Sequence, residues 1–509
     1  MQLTKGAIGN LINRYKAVLK KCHLLNVFGS LAVASMLIMG GAGGAVAAAG
    51  DVALGGGTHE SAQDADHLMG GTLYKGDVST PEASTPGNIS LTIKGGAIEE
   101  IIGGSYVAGD NTSIKSVVHA NISTIIESGS SAEFVVGGSK IANDADATLT
   151  TGKTALTING GNFGQEGKGA GYELVIGGNY VKTGTDTQNT ATSEGASVVI
   201  NGGTFHASVV GGSVAHRYAG NNTLTVTDNG STSVAINGGT FAPSQSSTAE
   251  SNGGINLSPA VIGGGLAYGG SSSVLGSRDN PVTSNVTISG GGITGKVVAG
   301  SAAVNGSTAM IHGNSQLNVS GGTFAGDLIG GGFAEHAFTP DKGYSLNITG
   351  DTGVSMSGGT LDGEIIGGSY ISAGGTGKVA NSSVVISGGR QEVQTTTKAQ
   401  YVIGGNKAMA FSGSTTTALV EGTSSVSISG KDTLITGGAV IGGGMAQAAD
   451  SGQAVSTVKN SRVSVEDGSL AGIIGGGLAE TSGIADGGSA TSEVTGTSSV
   501  AVSGGTITG

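Results

Sequence analysis

The sequence contains little of what stabilises most small exported domains: one cysteine, no tryptophan and six prolines in 509 residues. The cysteine, Cys22, lies in a basic N-terminal segment, so the rest of the chain has no disulfide framework. Charged residues make up 11% and aromatic residues 4% of the chain, which leaves few large side chains for a conventional core. The chain must therefore be stabilised by the stacking of similar segments.

A run of apolar residues long enough to span a membrane is also missing from the N-terminal region. The apolar segment at residues 27–39 has thirteen residues, whereas a spanning helix needs roughly 20. It follows five basic residues and precedes a stretch of small residues, which is typical of an export signal. Residues 1–47 are predicted to be an extended signal peptide, cleaved at the A-x-A site formed by Ala45 and Ala47. The alternative is an uncleaved anchor, because no charged residue occurs at 24–50.

Positive charge is scarce in the rest of the chain. The sequence has 23 basic and 35 acidic residues, a formal net charge of −12. Because five basic residues lie in the leader, the remainder has 18 against 35, a net charge of −17. An acidic surface repels DNA, RNA and anionic lipid, so no nucleic-acid partner is expected.

Glycine is abundant, at 99 of 509 residues, but apolar residues still make up 37% of the chain. The apolar content argues against a disordered linker, and the lack of a three-residue period in the glycines excludes collagen. A two-part motif recurs, as LNVSGGTFAGDLIGGGF at residues 317–333 and in similar form at 198–213 and 354–370. Twelve copies of the first part and eleven of the second are present, and most spacings are 31–40 residues.

The motif predicts short strands separated by sharp glycine corners. An alternating segment ends at the first Gly-Gly, and an apolar pair ends at the second. A weaker third strand is predicted at residues 224–227, 272–275 and 492–494. The expected fold is all-β: a right-handed parallel β-helix, or solenoid, of about twelve coils over residues 89–509. In an alternative arrangement, each coil corresponds to half a repeat.

Residues 48–88 lack the motif and are predicted to be an irregular linker or N-terminal cap. The last residues, 503–509, read SGGTITG and stop in the middle of a motif. Because a solenoid end needs a cap, the repeat region is expected to be truncated at its C-terminus.

The basic leader and the SGGT-x-x-G-x-[VIL]-[VI]-GG array resemble autotransporters, the type V secreted proteins of Gram-negative bacteria. The resemblance covers the leader and residues 91–509. It implies a passenger domain that is exported through the inner membrane and translocated by an outer-membrane barrel, for display at the cell surface or release. The chain lacks the amphipathic strands of such a barrel, so either the barrel is encoded beyond Gly509 or the protein does not translocate itself.

No catalytic, cofactor or metal site is predicted. The carboxylates of Glu99 and Glu100 are not expected to converge on a catalytic site, because adjacent strand residues point to opposite faces. The two residues are interpreted as a charge pair at a repeat edge. The cluster of acids and histidines at residues 59–67 lacks the spacing of a zinc site and is interpreted as solvated linker.

Four aromatic residues recur just after the second Gly-Gly: Tyr106, Tyr180, Phe333 and Tyr370. They are expected to form an aromatic ladder in the core or at a corner, and a sugar-binding strip is the alternative.

The predicted function is adhesion or autoaggregation through many weak contacts. The partners would be the same protein on neighbouring cells, host glycans or host surface proteins. A glycan-active enzyme and a purely structural surface protein are the alternatives.

Overall fold

The computed structural model describes residues 52–54, 57–61, 65–75, 83–85, 87–108, 116–142, 147–165, 173–184, 189–219, 224–243, 259–335, 343–392, 399–482 and 488–508. The predicted signal peptide and its cleavage residues Ala45 and Ala47 lie outside these residues. Within them, every secondary-structure element is a β-strand, and the strands pair in parallel. None of the described residues forms a helix that is long and apolar enough to cross a membrane.

The strands of the described residues form three sheets, which we call faces A, B and C, and the strand counts below refer to these residues. Face A has 21 strands: Val52–Ala53, Ala65–Met69, Gly96–Ile102, Ser130–Val136, Asn162–Phe163, Leu174–Ile176, Thr204–Phe205, Ser208–Val210, Thr240–Phe241, Pro259–Ile262, Gly292–Thr294, Lys296–Val298, Thr323–Ala325, Leu328–Ile329, Thr360–Asp362, Ile365–Ile366, Arg390–Gln391, Val402–Ile403, Leu434–Ile441, Ser469–Ile474 and Thr506–Ile507.

Face B has 23 strands: Gly57–Ser61, Ala83–Thr85, Ile89–Ile93, Ser116–His119, Ile122–Ile126, Thr148–Thr151, Thr154–Ile158, Thr190–Ser193, Ala196–Ile200, Thr225–Asp228, Thr232–Ile236, Ser272–Leu275, Val282–Ile288, Thr308–Ile311, Gly313–Val319, Ser345–Ile348, Thr352–Met356, Thr376–Val379, Ser382–Ile386, Thr415–Ile428, Gln453–Val465, Ser489–Val494 and Ser498–Val502.

Face C has twelve strands: Leu73–Lys75, Tyr106–Ala108, Lys140–Ala142, Tyr180–Thr183, Val214–Arg217, Leu266–Tyr268, Ala302–Val304, Phe333–Glu335, Tyr370–Ser372, Lys407–Ala410, Met445–Ala449 and Leu478–Ser482.

One sequence repeat forms one coil of a parallel β-solenoid. Each coil passes through face C, then twice through face B and twice through face A, as in the five strands between Leu266 and Val298. The apolar pair Leu328-Ile329 is hydrogen-bonded in register to Ile365-Ile366, the same pair in the next repeat. The prediction of a parallel β-helix is therefore confirmed, and the alternative of half a repeat per coil is wrong.

Strands occur at the three places where a third strand was predicted, residues 224–227, 272–275 and 492–494, but they do not form a separate third side. The strands at Thr225–Asp228 and Ser272–Leu275 belong to face B, together with the first part of the motif. The separate third side is face C, whose strands follow directly after the second Gly-Gly, as at Tyr106–Ala108. Most of these strands have three or four residues, which is too short for an alternating pattern to identify them.

Parallel strands also occur N-terminal to residue 89, where a linker or cap was predicted. Leu68 of face A pairs in register with Ile101, and Leu73 of face C pairs with Tyr106. The array of coils thus includes part of residues 48–88.

The interior of each coil has two lobes. Between faces A and B, aliphatic residues such as Val135 and Leu156 pack together. Between faces C and B, Val107 and Leu149 belong to a second group. Each residue in these groups is almost completely buried, so the solenoid is held together by inward-facing aliphatic rows.

The second Gly-Gly separates the two lobes. At Gly211, an added β-carbon would lie 2.2 Å from the carbonyl oxygen of Gly263 and 2.8 Å from Cγ2 of Val234 on face B. The absence of a side chain therefore lets the turn between faces A and C approach face B closely. We call this narrow part of the coil the waist.

A row of buried polar side chains runs along the waist. The backbone N–H of Ser105 donates to Ser139 Oγ at 3.1 Å, and that of Ser139 donates to Asn179 Oδ1 at 2.9 Å. In the next coil, the N–H of Asn179 donates to Ser213 Oγ at 3.0 Å. Each side chain thus satisfies a buried donor of the preceding coil, a donor that the glycine turn would otherwise leave unpaired.

A second stacking element lies in the lobe between faces A and B. Phe163 and Phe205 have ring centroids 4.9 Å apart, and Phe205 and Phe241 have centroids 4.5 Å apart. All three rings are fully buried. They come from the G-G-[TN]-F part of the motif, so parallel register places each ring directly above the last.

We expect Gly211→Ala to destabilise the solenoid by about 1–3 kcal/mol, because the new methyl group overlaps Gly263 and Val234. Another repeat has an alanine at the position equivalent to Gly211, namely Ala299. In that coil the face B residue equivalent to Val234 is Leu317, whose side chain is not branched at Cβ. Adding Val234→Leu to Gly211→Ala should therefore restore part of the lost stability. Thermal unfolding followed by circular dichroism measures both effects. Gly343→Ala is the control, because no atom lies within 4 Å of the added carbon.

We expect Phe205→Ala to destabilise the protein by about 3–5 kcal/mol, because it removes the middle ring of the stack and leaves a cavity. Phe411→Ala is the matched control, since Phe411 is 37% exposed. Thermal midpoints of the two variants test this, and equal midpoints would contradict the importance of the stack.

Candidate functional site

The outer surfaces of faces A and C meet in a concave corner. Val135 of face A packs in the interior, whereas its neighbours Phe134 and Val136 belong to a different cluster. Because adjacent strand residues point to opposite sides, these neighbours lie on the outer side of face A. They pack with Tyr180 of face C, while Val181 next to it packs in the interior. The two outer surfaces therefore touch each other along the solenoid.

Two rows of side chains fill this corner. The second residue of each apolar pair forms an aliphatic row that is fully buried: Ile102, Val136, Ile176, Val210, Ile262, Val298, Ile329, Ile366, Ile403 and Ile441. The first residue of each face C strand forms the adjoining row: Leu73, Tyr106, Lys140, Tyr180, Val214, Leu266, Ala302, Phe333, Tyr370, Lys407, Met445 and Leu478.

An ion pair with aromatic neighbours occupies the corner in the N-terminal coils. Lys140 Nζ lies 2.5 Å from Glu100 Oε2, and the two side chains are 6% and 20% exposed. His67 Nε2 lies 3.3 Å from the same oxygen. The ammonium group of Lys140 also lies 4.7 Å from the ring centroid of Tyr106 and 5.1 Å from that of Phe134. The rings stabilise the cation on the side that the carboxylate leaves open.

The surroundings keep Glu100 ionised. Burial by itself would raise the pKa of Glu100, but hydrogen bonds from His67 and Lys140 and the charge of Lys140 outweigh it and lower the pKa to about 2. The carboxylate is thus held by two donors, His67 on the preceding strand of face A and Lys140 on face C, so the buried charge is paired and has a structural role.

A similar ion pair occurs in the C-terminal coils. Lys407 Nζ lies 2.6 Å from Glu364 Oε2, and both side chains are at least nine-tenths buried. The Tyr370 ring centroid lies 5.9 Å from Lys407, and this ring stacks on Phe333 at 5.3 Å. Burial raises the pKa of Glu364, opposed by the charge of Lys407 and assisted by that of Asp327.

The four predicted aromatic residues all lie in the face C row, but they do not form one ladder. Lys140 separates Tyr106 from Tyr180, whereas Phe333 and Tyr370 are adjacent and stacked. Tyr180, Phe333 and Tyr370 are at most 7% exposed. Rings this deeply buried offer too little surface for a sugar to stack on, which favours the structural alternative over a sugar-binding strip.

The described residues of the acid and histidine cluster predicted at residues 59–67 are dispersed by the fold, and Asp64 lies outside the described residues. Glu60 lies on face B and pairs with Lys94, while His67 lies on face A beside Glu100. Among the described residues, no group of three or more His, Cys, Asp or Glu is placed to hold a metal ion.

Sequence reasoning missed both ion pairs. Glu100 was interpreted as one half of an edge pair with Glu99, yet Glu99 is exposed and Glu100 pairs with Lys140. Aligning the repeats would have given an indication, because Lys140 and Lys407 occupy a position that is otherwise aromatic or aliphatic.

A buried aspartate in the waist was missed as well. In the coil after Ser213, the position of the polar row is occupied by Gly265. Glycine has no side chain to accept a hydrogen bond from the backbone N–H of Ser213. Asp228 supplies the missing acceptor: its Oδ2 accepts a hydrogen bond from the backbone N–H of Ser213 at 2.8 Å. Burial raises the pKa of Asp228, although Ser193 and Ser213 donate hydrogen bonds to it. The aspartate thus repairs an interruption in the polar row.

The outer surface of face B presents the most regular set of polar groups. Eight hydroxyl side chains in successive coils lie in one outward-facing row: Thr148, Thr190, Thr225, Ser272, Thr308, Ser345, Thr376 and Thr417. Parallel register places them about 4.8 Å apart. The row is a repetitive surface of hydrogen-bond donors and acceptors.

Comparisons with protein-family models, with curated proteins and with solved structures found no match to this chain. The class of the protein, a parallel β-solenoid, is therefore defined by its own strand pairing.

We expect Glu100→Gln to destabilise the protein by about 3–5 kcal/mol at pH 7, because it leaves Lys140 buried without an ionised partner. Since the pKa of Glu100 falls from its ordinary 4.5 to about 2, its contribution is complete above about pH 4.5 and is lost as the pH falls towards 2. The difference in thermal midpoint between wild type and variant should therefore shrink over this range.

The matched control is Glu60→Gln, because the Glu60–Lys94 pair has a similar separation, 2.6 Å, with side chains that are 62% and 53% exposed. An exposed pair contributes little to stability. A loss at Glu60 as large as that at Glu100 would contradict the argument from burial.

Proposed function

We propose that this chain is the passenger of an autotransporter-type protein, exported to the surface of a Gram-negative bacterium, where it mediates adhesion or self-aggregation. The observation that carries the proposal is the outward-facing row of eight hydroxyls on face B, from Thr148 to Thr417. A repeated surface of this kind favours multivalent contact over recognition at a single site.

The repetition of polar groups along the solenoid provides the free energy of attachment. One hydrogen bond contributes about 0.5–1.5 kcal/mol net, which is too little for specific attachment. Groups fixed on one rigid scaffold bind at high effective concentration once the first contact has formed. Rows that continue over many coils therefore turn weak contacts into stable attachment.

Two features of the sequence support export. The leader at residues 1–47 has the order of basic, apolar and small residues typical of a signal peptide. The chain after Cys22 has no cysteine, so no disulfide would hinder its passage, unfolded, through a translocation pore. The net negative charge keeps such a rod soluble.

We expect cells that express the full chain with its natural translocator to display it on their surface and to settle faster than cells without it. Added NaCl or divalent cations should strengthen aggregation, because they screen the repulsion between displayed chains, which have a net charge of −17 once the leader is removed (18 basic against 35 acidic residues). Antibody staining of intact cells and turbidity against time measure both effects. Weaker aggregation with salt, or a cytosolic chain that retains residues 1–47, would contradict the proposal.

A glycan panel separates adhesion from the two alternatives. Binding without product supports an adhesin, product formation supports a glycan-active enzyme, and neither result in cells that also fail to aggregate supports a structural surface protein.

A further inference from the structure

A central stretch of one half of face B forms an outer surface of unusual composition, bounded by Glu60 on the strand before it and Arg462 on the strand after it. Ten successive strands, from Ile89–Ile93 to the second half of Thr415–Ile428, pack their inward side chains against face A. Their outward-facing residues, here called the uncharged strip, are Ser90, Thr92, Ser123, Ile125, Ala155, Thr157, Ser197, Val199, Ser233, Ala235, Asn285, Thr287, Gln316, Asn318, Gly353, Ser355, Ser383, Val385, Ser425 and Ser427.

None of these twenty positions carries a charge. Charged residues make up 11% of the chain, so about two would be expected at twenty positions of average composition, and about five at the 25–35% recommended for designed surfaces. The strip also places apolar side chains on the outside, among them Ile125, Val199 and Val385, of which Val385 is 42% exposed. The lack of charge is a feature that the strip shares with the cores of protein–protein interfaces, whereas its high serine content is not.

Charged side chains lie on the surfaces next to the strip. Exposed Glu194 and Asp351 lie in the turns that connect the two halves of face B. Lys378 and Glu493 lie on the half of face B that does not contain the strip. Because the chain without its leader has a net charge of −17 (18 basic against 35 acidic residues), a second copy that approaches by most surfaces meets like charge. Contact between two strips avoids that repulsion.

The size of the strip agrees with a stable interface between two copies. Ten strands spaced about 4.8 Å apart, each with five residues of about 3.3 Å, cover about 800 Å². A standard protein–protein interface buries about 800 Å² on each partner. The strip is therefore large enough to hold two copies together by itself.

We propose that the uncharged strip is the self-association surface of this protein, and that two copies pack strip against strip around a two-fold axis. Such an interface is self-complementary, because the same residues lie on both sides. With this axis perpendicular to the solenoid axis, the two solenoids are antiparallel, which is also the arrangement of rods that extend from two facing cells. This inference deepens the proposed function and rests on its self-aggregation branch.

Charge introduced at the middle of the strip tests the proposal. In the two-fold arrangement with full overlap, the strands with Ser233 and Thr287 lie at the centre, so Ser233→Glu/Thr287→Glu brings like charges together. Sedimentation of the purified full chain should show self-association that is at least about tenfold weaker than for wild type, because like charges at an interface cost several kcal/mol.

The matched control is Thr204→Glu/Thr323→Glu on the outer side of face A, which adds the same charge at outward strand positions of similar exposure. It should leave self-association unchanged. Circular dichroism must show equal thermal unfolding for both variants. A third variant, Ser233→Lys/Thr287→Lys, should associate with the Glu variant of the strip more strongly than either associates with itself.

Three results would overturn the strip proposal: a monomeric wild type, a strip variant that associates like wild type, or an equal loss in the face A control. Cells that display the strip variant and still aggregate normally would also overturn it, yet would leave the proposed function intact. Wild-type cells that neither aggregate nor adhere would overturn the proposed function itself.

Discussion

The close approach of backbone to backbone at the waist is the constraint on which the structure depends. The turn after each apolar pair approaches face B so closely that a β-carbon at Gly211 would overlap the next coil. This contact divides the interior into two aliphatic lobes and bends faces A and C towards each other on the outside. It also buries backbone donors, which explains the row of Ser and Asn side chains that accept hydrogen bonds from the preceding coil.

The concave corner between faces A and C follows from the waist. Its outward-facing residues are buried although they lie outside the two interior lobes, so they behave as a third core. Charged residues in this core need partners, and Lys140 with Glu100 and Lys407 with Glu364 provide them. The corner thus contributes to stability, and the aromatic residues that initially suggested a sugar-binding strip are part of that packing.

The surfaces left for contact with other molecules are the outer sides of faces A and B. There, parallel register turns each outward sequence position into a continuous row along the solenoid, as at Thr148 and Thr190. A single repeat presents only a few hydroxyls, but the stack presents a long array. Adhesion through such an array requires no pocket, because its affinity depends on the number of contacts made together.

The sequence alone determined the repeat, the parallel β-solenoid and the inward rows, because Gly-Gly corners and alternating aliphatic residues act within one coil. The four aromatic residues were also correctly assigned to one position of the repeat. The position of face C, the concave corner, the partners of Glu100 and the role of Asp228 were decided only by the tertiary structure. Each of these depends on contacts between residues of different coils or different faces, and their spacing along the chain varies with the loops between them. Local pattern therefore specifies the coil, whereas the environment of each charged side chain depends on how the coils stack.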